Sequence, residues 1–327
     1  MKQALNEVLR KETFDLVHLD IIHMAGYQQM LEQAMPRARI VYNWHNIESE
    51  LMDRYSTQER SIPKRIYASV TARRLRMVEE HILRTAYGHV VCSERERGQL
   101  LCRVPEARIQ VVGNGVDVAF FGAPGAEPAT PGRIVFVGSM DYHANVDAAV
   151  WFSREIWPHL RSRFPQWRLT LVGSNPASAV NALAGQPGIE VTGTVPDVRP
   201  YYREAVAAVV PLRTGGGTRL KILEAMAAGV PVVSTALGAE GLEVTPGQNI
   251  LMAENEKDWL GALASISNGS ALRSTLIFEG KRLVATRYDW DILGRALDDT
   301  YRHWMGETTS DVRPVAFKPT ERHPPAG

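Results

Sequence analysis

The sequence predicts an α/β protein made of two doubly wound, Rossmann-like units of parallel strands. Three observations predict it. Short valine-rich runs alternate with helical patterns from end to end, as in repeated βαβ units. The region 133–253 holds six such runs, a complete doubly wound set. Between the units lies a stretch rich in Gly, Pro and Ala, "NGVDVAFFGAPGAEPATPG" at 114–132, which reads as a linker.

In chain order, the first unit has predicted strands at 15–19, 39–43, 89–93 and 109–113, with helices between them at 46–58 and 62–85. A doubly wound unit has about six strands. Either the start of this unit lies outside the chain, or the unit is a shortened one. The second unit has predicted strands at 133–138, 168–173, 189–193, 207–212, 230–235 and 249–253. A final helix is expected at 289–305. From 306 onward many prolines and no periodicity predict a disordered tail. The expected organisation is therefore 1–113, 114–288, the helix 289–305 and the tail 306–327.

Composition narrows the function. Hydrophobic residues are 45% and charged residues 22%, as in an ordinary globular protein. Lys plus Arg number 37 against 36 Asp plus Glu, which gives no basis for a nucleic-acid partner. The two cysteines, Cys92 and Cys102, are too few for a disulfide framework and lack zinc-ribbon spacing. No apolar run approaches the roughly 20 residues that cross a bilayer. The opening residues read as an amphipathic helix running into a strand, without a signal-peptide apolar core. A cytoplasmic protein is the simplest expectation. The nine histidines show no metal-binding spacing. There is no GxSxG elbow and no Walker A pattern. "GNGVDV" at 113–118 fails at the third glycine of a dinucleotide fingerprint, which weakens a nicotinamide oxidoreductase.

The most informative stretch is "TGGGTRLKILEAMAAGVPVVST" at 214–235. Gly215, Gly216 and Gly217 follow a strand and precede a helix, with Thr218 as its expected N-cap. Carboxyl ends of parallel strands bind ligands, and a helix N-terminus attracts phosphate. Bare backbone lets a ligand approach closely. Lys221, Glu224 and Ala228 share one helix face, while Leu220, Leu223 and Ala227 share another that should pack on the sheet. A lysine in the first turn and a carboxylate one turn later suit a nucleoside diphosphate: cation and loop amides for phosphate, carboxylate for two ribose hydroxyls. The plainer alternative is a tight turn followed by a solvated glutamate.

That stretch, with "VVGNGVD", "FVGSMDYHANVDAAVWF", "VTGTVPDVRPYY" and "GAEGL", resembles the C-terminal half of family 4 retaining glycosyltransferases of GT-B fold. "VYNWHNIESELMDRY" resembles their N-terminal half, and the likeness runs from about 13 to 305. It is nearest to bacterial exopolysaccharide-type sugar transferases. The resemblance implies two Rossmann-like domains facing across a cleft, the first one incomplete here. The second would hold a nucleotide sugar and the first a glycan or lipid-linked acceptor. No cofactor and no metal are implied. Glu224 matches the second glutamate of the family's E-x7-E motif, which binds the donor ribose. Gly216 stands where the first glutamate belongs, so the sugar would fall to the backbone of Gly215, Gly216 and Gly217. Ser139 and Ala144 replace the usual Arg and Lys of the diphosphate clamp, which leaves Arg219 and Lys221 as the cations. His45 matches a histidine near the donor sugar. Asn46 can cap the next helix.

Gly138 and Gly173 end strands at the ligand edge and are expected to help bind the donor. Asp197 reads as an N-cap, and Asn114 and Gly115 as a hinge turn. "DWD" at 289–291 reads as a helix start capped by Asp289, with Trp290 as the anchor of the final helix on the first unit. The helix 62–85 carries Lys64, Arg65, Arg73, Arg74, Arg76 and Arg84 against Glu79 and Glu80, a solvated face or a peripheral contact with the inner face of a membrane. The expected activity is retaining transfer of a hexose from a nucleotide-diphosphate sugar to a glycan or lipid-linked saccharide, in surface polysaccharide synthesis. Two alternatives stand: a nucleotide-sugar epimerase on the same fold, and a partner that binds sugar nucleotide or glycan without turnover.

Overall fold

The computed structural model describes residues 2–59, 61–123, 132–216 and 219–306. It contains two parallel sheets. The first is built from β1 (Leu16–Asp20), β2 (Arg39–Trp44), β3 (Gly88–Val91) and β4 (Ile109–Val111), lying side by side in chain order. The second is built from β5 (Arg133–Val137), β6 (Arg168–Val172), β7 (Ile189–Gly193), β8 (Ala207–Val210), β9 (Val232–Ser234) and β10 (Leu251–Met252). Its order is β10-β9-β8-β5-β6-β7, that of a doubly wound dinucleotide-type sheet. Every strand pair is parallel.

The valine-rich runs form central strands because both faces are covered by helices. In β5, Ile134, Val135 and Phe136 are all buried, and Ile134 pairs with Leu169 on one side and Ala207 on the other. Chain direction across the sheet reverses between β5 and β8. That reversal opens a crevice at the carboxyl ends of these two strands. The first sheet has no reversal; its strands simply follow one another.

The helix Trp290–Met305 leaves the second sheet and docks on the first. Trp304 packs with Val41 and Val90. A Cβ on Gly88 would sit 2.9 Å from the Trp304 ring, so only glycine admits the indole there. Tyr87 Oη donates to the Trp304 carbonyl at 3.0 Å, and Arg39 Nη1 donates to the same oxygen. Trp290, expected as the anchor, is instead 50% exposed and lies over Gly115. The reason is phase: Trp290 is on the solvent side of the first turn, and the docking surface is reached only at the helix's far end. Asp289 does cap this helix, accepting the Asp291 N–H at 2.8 Å, so "DWD" is structural.

Other expectations shift in detail. The stretch read as a linker contains a helix, Val118–Gly122, packed against the helix Leu220–Ala227, and Val116 bridges to Asp289; residues 124–131 lie outside the described residues. The predicted strands at 133–138, 168–173 and 207–212 stop earlier, at Val137, Val172 and Val210, where the chain turns into the crevice. Leu220 does not pack on the sheet. It is 41% exposed, while Ile222, Leu223, Ala225, Met226 and Ala227 form the buried face. The final helix ends at Gly306 in the left-handed region (φ 84°), and the expected tail from 307 onward lies outside the described residues.

Candidate active site

The crevice between β5 and β8 is a cleft of about 540 Å³. From the second sheet it is lined by Gly138 and Ser139 after β5, Leu212 and Gly216 after β8, and Arg219, Lys221 and Glu224 at the following helix. His45 and Asn46 close it from the first unit, and Asn114 from the start of the segment that joins the two units.

Lys221 is held at the cleft by Asn145. Its Nζ donates to Asn145 Oδ1 at 2.6 Å and lies 4.7 Å from the centre of the Phe136 ring. Asn145 Nδ2 in turn donates to the Ser139 carbonyl at 2.8 Å. This cluster explains Gly138: a Cβ there would lie 2.7 Å from Asn145 Nδ2 and 2.8 Å from Lys221 Nζ. Burial, with Arg219 close by, pushes the Lys221 ammonium down to about 7. Glu224 is half-buried one turn later, and desolvation raises its carboxyl pKa against the opposing pull of Tyr202 and Lys221. Tyr202, fully buried, donates its hydroxyl to Glu224 Oε2 at 3.2 Å.

Arg219 is only 5% exposed. Its Nη1 donates to the Gly216 carbonyl at 2.6 Å and its Nη2 to the Leu237 carbonyl at 3.4 Å, while its buried Nε has no partner among the described residues. Burial lowers its pKa. A guanidinium beside a desolvated ammonium concentrates positive charge at this end of the cleft, the chemistry that suits an anion.

The first unit supplies the opposite wall. The helix Glu48–Gln58 is fastened at its start by Glu79, which is buried in the helix Ile62–Thr85. Glu79 accepts the Ser49 N–H at 2.8 Å and pairs with Arg103 Nη1 at 2.7 Å. That anchor replaces the expected cap: the helix starts after Ile47, and Asn46 Oδ1 is buried without a partner among the described residues. Leu51 on this helix lies against Gly216, leaving no room for a Cβ. Arg54 donates to the Gly215 carbonyl at 3.3 Å and grips Glu240 through both terminal nitrogens, at 2.8 and 2.9 Å. Arg95 Nε adds a contact to Glu240 at 3.1 Å. A helix of one unit thus clamps the glycine loop of the other.

The expected site residues fall as follows. His45, Gly138, Ser139, Gly216, Arg219, Lys221 and Glu224 all line the cleft. Arg219 and Lys221, two apart, both reach it because Arg219 occupies the N-cap position rather than a helical one. Gly215 is required by its backbone (φ 95°) and by its approach to Ala144. Gly217 and Thr218 lie outside the described residues. Gly173 stands behind Gly138, not on the cleft; a Cβ on it would collide with the Gly138 carbonyl, so packing of two loops explains it. Ser139 turns its hydroxyl to Asp141 at 2.6 Å and its carbonyl to Asn145. Asp197 accepts the Arg199 N–H at 2.9 Å, and the Arg199 side chain stacks on Phe120, 3.7 Å from the ring centre. Asn114, read only as a turn, lines the cleft.

Sequence reasoning passed over Asn145, Tyr202, Arg54, Glu240 and Asp20. Asp20 ends β1 and bonds His45, with Oδ1 2.8 Å from Nε2. No spacing rule links residues brought together only by sheet order. Among the described residues no group of three or more His, Cys, Asp or Glu is placed to hold a metal.

Comparisons with known proteins agree with this geometry. Residues 1–120 match the family model described as Glycosyltransferase Family 4, and residues 131–268 match that described as Glycosyl transferases group 1. GDP-mannose:cellobiosyl-diphosphopolyprenol alpha-mannosyltransferase of Xanthomonas campestris is 27% identical over 232 residues, or 65% of this chain and 58% of that protein. The chain therefore spans little more than half the length of that relative. Sucrose-phosphate synthase from Thermosynechococcus elongatus superposes with a TM-score of 0.72 at 22% identity, covering 93% of this chain and 77% of the other. Anabaena Alr3699/HepE, solved in complex with UDP, gives 0.68 at 13% identity, covering 92% and 81%. At these identities the solved structures speak for the fold alone, two Rossmann-like sheets across a cleft. With family models matching on both sides of that cleft, the chain belongs to the family 4 glycosyltransferases of GT-B fold.

Proposed function

We propose that this chain transfers a hexose from a nucleotide-diphosphate sugar to a hydroxyl of a glycan or lipid-linked saccharide, with retention of configuration. The single observation that supports it best is Arg219, Lys221 and Glu224 lining one cleft against His45 of the other unit. In this proposal the diphosphate lies against the Arg219 guanidinium and the desolvated Lys221 ammonium. Glu224, braced by Tyr202, accepts from the ribose. Gly138 and the backbone of Gly215 and Gly216 lie along the phosphates and the sugar.

Transfer then needs no protein nucleophile. The acceptor oxygen attacks the anomeric carbon on the face that the diphosphate leaves, and its proton passes to a departing phosphate oxygen. One C–O bond breaks and one forms. Arg219 and Lys221 stabilise the charge that grows on the diphosphate, while the clamp of Leu51 and Arg54 on the glycine loop holds both units in register. Chain cations serve where a metal would otherwise, and the proposed reaction takes none. The division of labour puts the donor on 114–288 and the acceptor on 1–113, with 289–305 tying them together.

The Xanthomonas relative is named for GDP-mannose and a diphosphopolyprenol-linked acceptor, and Alr3699/HepE was solved with UDP. Those names support a nucleotide sugar as donor and a lipid-linked saccharide as acceptor, and we place the reaction in surface polysaccharide synthesis as part of the same proposal. A lipid-linked acceptor would be met at the cytoplasmic face of a membrane. Contact there is supported by the helix Ile62–Thr85, whose exposed side carries Ile62, Ile66, Tyr67, Val70 and Met77 beside Lys64, Arg65, Arg73 and Arg74.

Calorimetric titration of the chain with UDP, GDP and ADP tests the donor site. One nucleotide is expected to bind, and Glu224→Ala, Arg219→Ala and Lys221→Ala each to weaken it, by about tenfold or more for the buried charged contacts. If none of the three nucleotides binds, or if the substitutions leave the affinity unchanged, the donor assignment falls. The epimerase alternative lacks support: it needs acid and base side chains around the sugar, and Gly216 provides none.

A further inference from the structure

The carboxyl end of the first sheet holds a chain of polar side chains that nucleotide binding leaves unexplained. Its centre is Asp20, the last residue of β1. Its Oδ1 receives Asn43 Nδ2 of β2 at 2.9 Å and lies 2.8 Å from Nε2 of His45, the residue just after β2. His18, two residues earlier on β1, faces the same oxygen with Nε2 at 3.8 Å. The other nitrogen of His18 meets the Tyr301 hydroxyl of the final helix. The β1–β2 register makes this cluster: Asp20 pairs with Asn43 and His18 with Val41, so β2 delivers Asn43 and then His45 beside the carboxylate.

Protonation states follow from the partners. Burial alone would raise the Asp20 pKa, but the hydrogen bonds from His45 and Asn43 outweigh it and hold the pKa below the usual carboxylate range. Asp20 is thus an ionised acceptor. Burial raises the Tyr301 pKa, so its hydroxyl keeps its proton and donates to His18 Nδ1. His18, whose pKa burial lowers, is then neutral with its proton on Nε2, toward Asp20. The ionised acceptor 2.8 Å from His45 Nε2, closer than the Asn43 amide nitrogen at 3.4 Å, favours a proton on that nitrogen. In neutral His45 the lone pair is then on Nδ1, the one ring nitrogen left for a ligand in the cleft that His45 lines.

We propose that Asp20 is a positioning residue of the transfer site: it fixes His45 in the Nε2–H form, so that Nδ1 accepts a hydrogen bond from a sugar hydroxyl. Tyr301 and His18 set the carboxylate from behind, which links the docked final helix to the acceptor wall. The same logic operates wherever a carboxylate orients an imidazole: removing the charge while keeping the shape permits the wrong tautomer. The role rests on the transfer activity proposed above, but the hold of Asp20 on His45 does not depend on it.

The test uses the full chain and two variants, Asp20→Asn and Asp20→Glu. Nitrogen-15 spectra of labelled histidine, assigned with His45→Gln, report the tautomer at about pH 8, where imidazoles are neutral. The wild type is expected to show His45 protonated on Nε2. In Asp20→Asn the amide can donate to Nε2, and the population shifts toward Nδ1–H; Asp20→Glu retains the wild-type tautomer. Transfer by Asp20→Asn is expected to fall about 10- to 100-fold in kcat, with nucleotide Kd changed less than about twofold, and Asp20→Glu to recover part of the loss. An identical His45 tautomer in wild type and Asp20→Asn overturns the proposal. So does an unchanged kcat, or a nucleotide affinity that falls in step with it. If the wild type binds no nucleotide, the donor site fails, and the spectra alone still decide whether Asp20 holds His45.

Discussion

Lys221 shows how one residue couples burial to ligand charge. Its ammonium is desolvated, has a neutral partner in Asn145, and is pushed down to about 7. An unfolded lysine keeps its proton to about 10.4. Between those values the unfolded chain binds more protons than the folded one, so this lysine's contribution makes the free protein more stable as pH rises through that window. A diphosphate beside Nζ reverses the balance by favouring the charged form. At about pH 8 the free side chain is mostly neutral, and donor binding is expected to take up a large fraction of one proton. Calorimetry in two buffers of different ionisation enthalpy reads that number directly. Lys221→Met should abolish the uptake; no uptake by the wild type would remove Lys221 from the phosphate site.

At the scale of elements, two helices matter most, for opposite reasons. Leu220–Ala227 buries Ile222, Leu223, Ala225, Met226 and Ala227 and presents Lys221 and Glu224 to the cleft, so its sequence is apolar except on the cleft side. Ile62–Thr85 is long, buries Ala68, Ala72, Glu79, Ile82 and Leu83 on one side, and exposes an apolar and basic surface on the other. Its Arg76 and Arg84 are paired within the protein, with Asp53 and Glu106. Each Lys or Arg at an anionic surface contributes about 1 kcal/mol. Vesicles containing anionic lipid should therefore co-sediment with the wild type at low salt and lose it at high salt. Charge reversal at Lys64, Arg65, Arg73 and Arg74 should abolish binding. Equal partition onto neutral and anionic vesicles, or none onto either, would show that this face is merely solvated.

Over the whole molecule, contacts between the two units among the described residues include one near the cleft and one far from it. Near the cleft, Arg54 and Arg95 of the first unit meet Glu240 of the second, above Leu51 and Gly216. Far from it, the final helix carries Trp304 across to Val41 and Val90. Deleting a buried tryptophan costs about 3–5 kcal/mol. Trp304→Ala is thus expected to lower the thermal stability of the first unit and to expose the helix Trp290–Met305 to limited proteolysis, while the second sheet keeps its melting temperature. A single, unchanged transition would mean that the docking contributes little to holding the units together.

Much of this was legible in the sequence, and the limit has a physical cause. Periodicity and composition are local, so the alternation of strands and helices, the six-strand second unit and the glycine loop before an amphipathic helix could be read directly. Spacing along one helix likewise placed Lys221 and Glu224 together. Contacts between distant segments leave no such mark. Asp20 reaches His45 only because β1 lies beside β2, Asn145 reaches Lys221 only because β5 lies beside β8, and Leu51 explains Gly216 only once the units close. Trp290 was the nearer aromatic and Trp304 the buried one, because helix phase and the docking surface, not position in the sequence, select which ring is enclosed. The sequence by itself determined the elements and the spacing of Lys221 and Glu224 on the helix Leu220–Ala227. Tertiary structure alone decided the opposite wall of the cleft, since side-chain geometry there depends on strand order and domain closure, which no local pattern encodes.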